Sequence, residues 1–457
     1  LDEENFITLQ AVFSLTDYRL VVLLNQPAPT LLEENESREN IISPLHKSKL
    51  TKRHIEDLFA HKYPYGFNKD SVRYIDKSNA ELVSINYTSG TTGFSKGVMT
   101  SGNALAGNVT FAVSTGLIAP GFNIVAFLPL AHAYGCAFDF LASTCAGCHI
   151  HFIGRTPSPK ILLKAFAEVR PNVIFCVPLI IEKIYKKQIQ PLLARPSMRW
   201  VLSIPLLDQP ILAQIRKKLV DAFGGNFSQI VVGGAPLNAE VEEFFAKIKF
   251  PFTVGYGMTE CAPLISYSEA KDFIPKSSGK MLEGIMEAKI DRPDPNTGVG
   301  EIFVRGENVM SGYYKNPEAT EQILDTEGWL HTGDLGTIDA QGNVFIRGRN
   351  KTMILSANGQ NIYPEELEAK LNNMPFVMES LVIDSNGKLI ALVYPDYEAV
   401  DAEGLDQKAL DDVMEENRKM LNSMGAAYEN VAKIQLYPNE FEKTPKKSIK
   451  RYLYTTV

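Results

Sequence analysis

The chain has 457 residues, which is long enough for two or more domains and a large buried core. Its hydrophobic content of 45% and its charged content of 22% are typical of a soluble globular protein. The formal net charge of −7 argues against a nucleic-acid-binding protein, because no basic excess offsets the repulsion of phosphates.

The first 80 residues carry the weakest signals. Apolar runs at residues 11–15 and 20–24 predict two strands, residues 30–40 are acidic and polar, and residues 47–59 favour a helix.

Residues 87–97 read YTSGTTGFSKG and follow an apolar run at 82–85 that predicts a strand. The glycines allow backbone amides to turn toward an anion, the hydroxyls add donors, and Lys96 supplies a mobile positive charge. The stretch therefore predicts a phosphate-binding loop, although the spacing of Gly93, Lys96 and Gly97 differs from the Walker pattern. A flexible Ser/Gly linker is the alternative, and the strand before the loop and the lysine in it argue against that.

Beyond residue 81, runs that predict strands alternate with amphipathic stretches that predict helices. This rhythm implies parallel sheets flanked by helices. The predicted strands are residues 123–128, 173–177, 229–232 and 252–254, and the predicted helices are residues 158–169, 211–223 and 239–248.

Asp139 is the only charged residue between Ser101 and Gly154, a composition that buried strands share with a membrane-spanning helix. Prolines and glycines interrupt the segment, so buried strands and their helices are the favoured interpretation. Five cysteines form an odd, sparse set that argues against a disulfide framework. With no secretion signal recognised, the expected location is the cytoplasm.

Cys145-Ala-Gly-Cys148-His149 matches the haem-attachment pattern CxxCH. It lies in the apolar run LASTCAGCHIHFI, which predicts a helix end followed by a buried strand, so core packing is favoured over haem attachment. His149 and His151 would share one strand face, but no further metal ligands are evident.

Short runs at residues 287–290, 301–304 and 344–346 predict an antiparallel, β-barrel-like part. The composition changes near Arg349. We therefore predict an α/β fold with a large N-terminal domain (residues 1–347), a hinge (residues 348–351) and a small mobile α+β C-terminal domain (residues 352–457). The C-terminal domain is predicted to contain a hairpin around Asn358-Gly359, helices at 364–372 and 405–424, and strands at 380–384, 389–393 and 432–436.

Further motifs follow the phosphate loop. They are LPLAH at 128–132 with Tyr134-Gly135, GGAPL at 233–237, GYGMTE at 255–260, GEI and VRG at 300–306, GYY at 312–314, WLHTGD at 329–334 and RGR at 347–349. In this order they resemble the motifs of the adenylate-forming superfamily, which contains acyl-CoA synthetases, luciferases and the adenylation domains of peptide synthetases. GYGMTECAPL and its flanks are most similar to bacterial long-chain fatty-acid–CoA ligases. Such relatives carry a longer N-terminal region, part of which has no recognisable counterpart here.

The resemblance implies a two-step reaction. A fatty-acid carboxylate attacks the α-phosphate of ATP to give acyl-adenylate and pyrophosphate, and the thiol of coenzyme A then attacks the acyl carbon. The residues that the resemblance assigns to the nucleotide are Thr88, Ser89, Gly90, Thr91, Thr92, Gly93, Lys96, Gly234, Ala235, Pro236, Tyr256, Gly257, Thr259, Asp334 and Arg349.

Within that set, Asp334 and Arg349 are expected to hold the ribose, and residues 234–236 the adenine. Thr259 would contact phosphate, while Glu260 and Thr88 would bind Mg²⁺, a hard cation that prefers oxygen ligands. A surface Thr-Glu pair capping a helix is the alternative for residues 259 and 260.

His132 resembles the histidine beside the carboxylate and the acyl entrance, with a satisfied core histidine as the alternative. Amino-acid-activating relatives place an Asp near this position to pair the substrate ammonium. Here Asp139 lies several residues later, so an unsubstituted acyl chain fits better. The length of that chain is not readable from the sequence.

Lys351 is the expected hinge residue, and a surface lysine is the alternative. The family's adenylation lysine stands in a pattern like T-P-x-G-K-I-x-R, but aligning Thr444 and Ile449 places Ser448 at that position. Lys447 is the predicted catalytic lysine, together with Glu260, Thr259 and His132 in the catalytic set; a solvated basic face that meets the phosphates of CoA is the alternative.

Other functions stay open. They are a non-catalytic homologue that binds ATP or acyl-adenylate, acyl transfer to a carrier protein, and luciferase-type oxidation. Peripheral membrane contact for lipid uptake is compatible with the sequence, whereas a transmembrane segment and a nucleic-acid partner are not expected.

Overall fold

The computed structural model describes residues 9–14, 19–24, 60–61, 63–66, 78–88, 96–153, 157–193, 195, 198, 208–355, 360–443 and 449–454. The predicted helix at residues 47–59, most of the phosphate loop and the predicted Asn358-Gly359 turn lie outside these ranges.

The strands are β1 (Leu9–Ser14), β2 (Arg19–Leu24), β3 (Leu82–Thr88), β4 (Lys96–Ser101), β5 (Asn123–Ala126), β6 (His149–Phe152), β7 (Ile174–Cys176), β8 (Ile230–Val232), β9 (Phe252–Val254), β10 (Tyr256–Gly257), β11 (Leu264–Tyr267), β12 (Lys280–Met281), β13 (Met286–Asp291), β14 (Gly300–Gly306), β15 (Gly312–Tyr313), β16 (Leu330–Ile338), β17 (Val344–Arg349), β18 (Ile354–Leu355), β19 (Asn361–Ile362), β20 (Val377–Ser385), β21 (Lys388–Pro395) and β22 (Val431–Leu436). The α-helices are α1 (Gly102–Ser114), α2 (Ser143–Cys145), α3 (Pro159–Val169), α4 (Pro178–Ile184), α5 (Gln190–Leu193), α6 (Asp208–Ala222), α7 (Ala239–Lys247), α8 (Pro317–Glu321), α9 (Pro364–Leu371), α10 (Tyr397–Glu403) and α11 (Gln407–Ser423). π-Helical segments at Gly135–Ala142 and Tyr185–Ile189 and 3₁₀ turns at Thr259–Cys261, Ala427–Glu429 and Arg451–Leu453 complete the list.

Parallel strands form the centre of the large N-terminal part, as the alternating pattern predicts. β5 pairs with β6, and β7, β8 and β9 pair in that order, all in parallel. Every residue of β7, β8 and β9 is buried, which is typical of strands covered on both faces. The helices α3, α6 and α7 supply their apolar faces to the same hydrophobic core, whose buried members run from Val98 to Val344.

The helix starts follow local capping chemistry. Ser158 caps α3 by accepting a hydrogen bond from the Ile161 amide, and a proline occupies the first turn. Asn238 caps α7 by accepting from the amides of Glu240 and Val241. Both sites lie next to the predicted boundaries, so the sequence marks these helix starts well.

One local prediction is wrong. The strand β6 is mostly exposed, with its central Ile150 only partly buried, and Cys145 before it is exposed as well. Among the described strands β6 pairs only with β5, so it is an edge strand that solvent reaches. Cys145 therefore lies outside the core, whereas Cys148 is partly buried and packs against it. No group of three or more His, Cys, Asp and Glu side chains suited to a metal ion occurs among the described residues.

The β-barrel-like part is an open sheet rather than a closed barrel. Its four strands follow the order β13-β14-β16-β17, all antiparallel. A separate short sheet joins β3, β4 and β15, so that residues 98–99 and 312–313 become neighbours. No helix in the described ranges is long and apolar enough to cross a membrane.

The C-terminal part has its own apolar packing. β20 and β21 are antiparallel, β22 adds in parallel, and α9 and α11 cover the sheet. Two further hydrophobic clusters, from Ile362 to Val431 and from Leu381 to Tyr454, lie here. β18 pairs with β19 as the predicted hairpin requires. The domain limits and the hinge stay predictions.

Candidate active site

The two ends of the predicted phosphate loop are held side by side. Thr88 closes β3 and Lys96 opens β4, and the two residues are direct partners in this antiparallel pair. The Thr88 hydroxyl also donates to the Lys96 carbonyl oxygen at 3.4 Å. The predicted loop residues Ser89, Gly90, Thr91, Thr92 and Gly93 lie outside the described ranges, but the strands fix where the loop begins and ends.

The predicted adenine wall follows β8 at the carboxyl end of the parallel strands, where open α/β sheets bind ligands. Gly234, Ala235 and Pro236 are exposed there. Gly234 has φ of +90°, a conformation that favours glycine. Tyr134 contacts the strand that leads into this loop: its hydroxyl donates to the carbonyl oxygen of Val231 in β8 at 2.9 Å.

Asp334 is the centre of a second group. Its Oδ1 atom pairs with Arg349 Nε at 2.9 Å, and its Oδ2 atom accepts a hydrogen bond from the Tyr256 hydroxyl at 2.7 Å. Asp334 is 4% exposed, so the ion pair lies at the edge of the interior. The Asp334 charge is the main cause that raises the pKa of Arg349, the Glu260 charge adds to it, and burial opposes the shift.

Glu260 belongs to a third group. It lies in the 3₁₀ turn Thr259–Cys261 and is 8% exposed. Its Oε1 atom accepts a hydrogen bond from the Tyr313 hydroxyl at 2.9 Å. The Lys96 ammonium lies 4.7 Å from the centre of the Tyr313 ring. One tyrosine therefore contacts both the predicted phosphate lysine and the predicted metal ligand.

The GYGMTE segment joins the second group to the third. Tyr256 contacts Asp334, and Glu260 contacts Tyr313 from the other end of the same short segment. Gly257 passes close to the neighbouring strand, because a Cβ atom there would lie 2.3 Å from the Pro263 carbonyl oxygen. A side chain at this position would force the segment away from β11.

His132 lies outside these three groups. It is half-buried, and it is held by backbone hydrogen bonds from its amide to the Pro129 carbonyl oxygen and from the Cys136 amide to its own carbonyl oxygen, both 2.9 Å. The π-helix Gly135–Ala142 begins three residues after it. π-Helical turns are rare and occur frequently at functional sites.

Asp139 lies on that π-helix and is fully buried. Its Oδ2 atom accepts hydrogen bonds from the Phe127 and Leu128 amides at 3.2 and 3.1 Å, whereas Oδ1 has no hydrogen-bond partner among the described residues. Burial raises the pKa of this carboxyl group to about 8, although the two amides oppose the shift. Asp139 therefore fixes the chain at the start of the LPLAH segment.

Lys351 lies in an exposed turn after β17. The turn is held by hydrogen bonds from the Thr352 and Met353 amides to the Arg349 carbonyl oxygen. Arg347 and Glu366 form an ion pair of 3.4 Å across this region, between the strand and α9.

The predicted catalytic Lys447 lies outside the described ranges, but its flanks are defined. Lys443 and Ile449 form an isolated antiparallel bridge, and the Lys450 amide donates to the Glu442 carbonyl oxygen at 2.8 Å. Residues 444–448 therefore connect two chain segments that lie side by side.

The end of this segment is anchored by Arg451, whose Nη1 atom contacts both Glu368 carboxylate oxygens, at 2.7 and 2.8 Å. Burial raises the pKa of Glu368 to about 7, and Arg451 opposes the shift.

The oxygen donors around Glu260 match the metal ion that the motifs imply. Mg²⁺ commonly binds one or two carboxylates together with nucleotide phosphates and water, and Glu260 offers one carboxylate with Thr259 beside it. Three-ligand clusters are absent from the described residues, so a metal ion here would depend on the nucleotide for its remaining ligands. The oxygen donors present fit that mode of binding.

Sequence reasoning missed the roles of Tyr313 and Asp139. Tyr313 was visible only as part of the GYY motif, and nothing local connects it to Glu260. Asp139 had a signal, because it is the only charge in a long apolar stretch, and a buried charge without a partner is costly.

Comparison with a family model matches residues 8–314 to the family described as AMP-binding enzyme. Among curated relatives, long-chain-fatty-acid–CoA ligase FadD15 of Mycobacterium tuberculosis is 31% identical over 337 residues, covering 68% of this chain and 54% of the relative. Long-chain-fatty-acid–CoA ligase ACSBG1 of Bos taurus is 30% identical over 336 residues, covering 67% of this chain and 46% of the relative. The chain thus spans about half the length of the curated relatives it matches.

Solved structures give a similar result. ATP-bound MatB from Rhodopseudomonas palustris matches with a TM-score of 0.64 and 27% identity, covering 83% of this chain and 68% of that one. O-succinylbenzoate coenzyme A synthetase (MenE) from Bacillus subtilis, in complex with ATP and magnesium ion, matches with a TM-score of 0.64 and 23% identity, covering 89% and 77%. The second likeness concerns the fold alone.

Proposed function

Since the chain belongs to the AMP-binding enzyme family, within the adenylate-forming superfamily, we propose that it activates a fatty acid with ATP and transfers the acyl group to coenzyme A. The products would be acyl-CoA, AMP and pyrophosphate. Such a protein is an AMP-forming acid–thiol ligase of the long-chain fatty-acid–CoA type.

The observation that carries the proposal is the arrangement along the GYGMTE segment. Tyr256 at its start contacts the Asp334–Arg349 pair, and Glu260 at its end contacts Tyr313 and thereby the neighbourhood of Lys96. A pair of charged groups suited to ribose hydroxyls and a cation suited to phosphates thus lie at opposite ends of one short segment. In ATP, the ribose and the terminal phosphates are likewise two separate groups joined by a short link.

Within this site, each residue would hold charge or orient a group. Asp334 retains lone pairs for ribose hydroxyls beyond those used by Arg349 and Tyr256. Lys96 and the loop amides would face the β- and γ-phosphates, and Thr259 would add a hydroxyl. Glu260, with Thr88, would hold Mg²⁺, which supplies positive charge to the phosphates when bound. Positioning and charge stabilisation account for most of catalysis in phosphoryl chemistry.

The buried position of Asp139 supports an unsubstituted acyl substrate over an amino acid. Its carboxyl group is fully buried and holds two backbone amides, so it does not face a cleft in which a substrate ammonium would lie. His132 would lie beside the reacting carboxylate. The names of the curated relatives support a long-chain fatty acid and CoA as substrates.

Two alternatives keep the same nucleotide site. Ser448 stands where the family pattern has a lysine, which favours a homologue that binds ATP without turnover. Acyl transfer to a carrier protein would differ only in the acceptor thiol.

Turnover with a panel of carboxylates separates these functions. Pyrophosphate release and thioester formation are measured with fatty acids of increasing chain length and with amino acids, each with and without CoA. We expect pyrophosphate release with fatty acids and acyl-CoA only when CoA is present. ATP binding without pyrophosphate release from any carboxylate would support the binding homologue, and acyl-adenylate that CoA does not discharge would support a carrier-protein acceptor.

A further inference from the structure

Tyr313 contacts the two opposite charges of the proposed phosphate site. Its hydroxyl donates to Glu260 Oε1 at 2.9 Å, and the Lys96 ammonium lies over its ring, 4.7 Å from the centre. Tyr313 is 6% exposed. The side chain is therefore almost entirely enclosed, and its hydroxyl and one face of its ring each contact a charged group.

The backbone around Tyr313 is fixed from several sides. β15 pairs with β4 so that Tyr313 lies opposite Val98, and the Tyr313 amide donates to Thr320 Oγ1 at 2.9 Å. The next amide, of Tyr314, donates to the Gly97 carbonyl oxygen at 2.7 Å. The same β4 strand carries Lys96 at its start, so the backbones of Lys96 and Tyr313 belong to paired strands.

Glu260 is tied to the same segment. The Met310 amide donates to the Glu260 carbonyl oxygen at 2.8 Å, three residues before Tyr313. The backbone of Glu260 and the hydroxyl of Tyr313 are thus held in a common frame. A hydrogen bond within such a frame costs little further conformational entropy.

A phenol can serve both charges at once. The face of an aromatic ring carries partial negative charge and attracts a cation, while the hydroxyl group donates to a carboxylate. An ordinary phenol is protonated at neutral pH, so the Tyr313 hydroxyl is the donor in its contact with Glu260 Oε1. An ammonium that lies over the ring also remains near the phosphate loop.

We propose that Tyr313 is a positioning residue for the metal–nucleotide complex: its hydroxyl orients Glu260 toward Mg²⁺, and its ring retains Lys96 toward the phosphates. This inference rests on the proposed function. It adds a role for each contact of Tyr313: the hydroxyl acts on Mg²⁺ binding, and the ring acts on phosphate binding by Lys96.

Three variants separate the two contacts. Tyr313→Phe removes the hydroxyl and keeps the ring, and Tyr313→Leu removes both. Tyr314→Phe is the matched control, because the adjacent phenol is 41% exposed. Equilibrium ATP binding is measured as Mg²⁺ is titrated and again in EDTA, with thermal unfolding as the test of folding. Pyrophosphate release is followed in parallel.

For Tyr313→Phe we expect the Mg²⁺ concentration for half-maximal ATP binding to rise by about 10-fold, because a hydrogen bond to a charged group is lost. ATP binding in EDTA should not change, since the ring still faces Lys96. Tyr313→Leu should also weaken ATP binding in EDTA, by about 3-fold, through loss of the cation–π contact. Tyr314→Phe should match the wild-type chain in both conditions.

A folded Tyr313→Phe protein with the wild-type Mg²⁺ dependence would overturn the inference while leaving the proposed function intact. Equal weakening by Tyr313→Phe with and without Mg²⁺ would do the same, because it would indicate a general packing role. If the wild-type chain binds ATP but releases no pyrophosphate, the proposed reaction fails, and the binding experiment still decides the role of Tyr313.

Discussion

Asp334 and Arg349 are direct partners in the antiparallel pairing of β16 and β17, and an ion pair of 2.9 Å joins Arg349 Nε to Asp334 Oδ1. The register of one sheet therefore brings together the two charges that the motifs WLHTGD and RGR contribute. Tyr256 binds the other carboxylate oxygen, so Asp334 keeps one protein partner if Arg349 is lost.

Replacing Arg349 with Gln should weaken ATP binding by about 10-fold or more, because a charge-assisted hydrogen bond to Asp334 disappears. The KM for ATP is the measurement. Arg347→Gln is the control, since Arg347 lies on the same strand and pairs with Glu366 instead. An equal rise in KM in both variants would contradict a specific ribose role for Arg349.

Glu260→Gln should lower adenylation by about 100-fold or more, because it removes the negative charge for the metal ion without changing side-chain volume. ATP-dependent pyrophosphate release measures this. Glu307→Gln, at an exposed position, is the matched control and should retain wild-type activity. Unchanged release by Glu260→Gln would remove the basis for the assignment.

Local patterns located most of the elements in advance. The apolar runs at β7, β8 and β9 are buried as predicted, because short strands covered on both faces leave few polar positions. The exposed β6 differs, because it carries His149 and His151 within an apolar run and lies at the edge of the described sheet. A strand's neighbours are a property of the whole fold, which a local run does not contain.

The contacts of Tyr313 show the same limit within the site. Its partners Lys96 and Glu260 lie far away in the sequence, and the β4–β15 pairing creates the contact with Lys96. Motif order predicted that these residues share one site. It did not predict that a tyrosine joins them, since register and ring orientation depend on packing.

Asp139 predicts a pH dependence of stability. The folded-state pKa of about 8 lies above the ordinary value of about 4, so the folded chain keeps a proton that the unfolded chain loses between these pH values. This contribution to stability is fully present below pH 4 and is lost as the pH rises to 8, by up to about 5 kcal/mol. Asp139→Asn should flatten that dependence, because the amide cannot ionise.

The free energy of unfolding from urea titrations between pH 5 and pH 8 measures the effect for the wild type and for Asp139→Asn. Asp139→Leu is a useful comparison, since it also cannot ionise but leaves the Phe127 and Leu128 amides without their acceptor. Relative to Asp139→Asn, it should be less stable at every pH by about 1–3 kcal/mol. Parallel pH curves for the wild type and Asp139→Asn would contradict the raised pKa.

Lys351→Pro tests the predicted hinge. Proline fixes φ near −65° and so restricts rotation at this exposed turn. If relative rotation separates the two half-reactions, the variant should keep adenylation and lose thioester formation. Pyrophosphate release and acyl-CoA formation are measured separately, with Lys351→Ala as the control for side-chain loss. Equal loss or equal retention of both half-reactions would contradict a hinge at this position.

The ion pairs of the lysine-rich segment 443–450 narrow the choice of the adenylation lysine. Lys443 pairs with Glu379 and Glu440, and Lys450 pairs with Glu442 at 3.1 Å. These ion pairs give both lysines a place in the packing of the C-terminal part. Lys446 and Lys447 remain as the candidates in the connecting residues 444–448.

Lys447→Ala should therefore lower adenylation by about 100-fold, because a positive charge beside the pentavalent phosphate is lost and Ser448 cannot supply one. Thioester formation from pre-made acyl-adenylate should remain largely intact, since that step no longer involves the α-phosphate attack. Lys446→Ala and Lys450→Ala are the comparison variants, and both should keep most of the adenylation rate. The rates of pyrophosphate release and of acyl-CoA formation from acyl-adenylate are measured for all three. If Lys446→Ala or Lys450→Ala abolishes adenylation while Lys447→Ala does not, the alignment that places Lys447 next to the family position is wrong. If none of the three affects adenylation, the tail instead presents a solvated basic face, and CoA affinity should then fall in proportion to the charges removed.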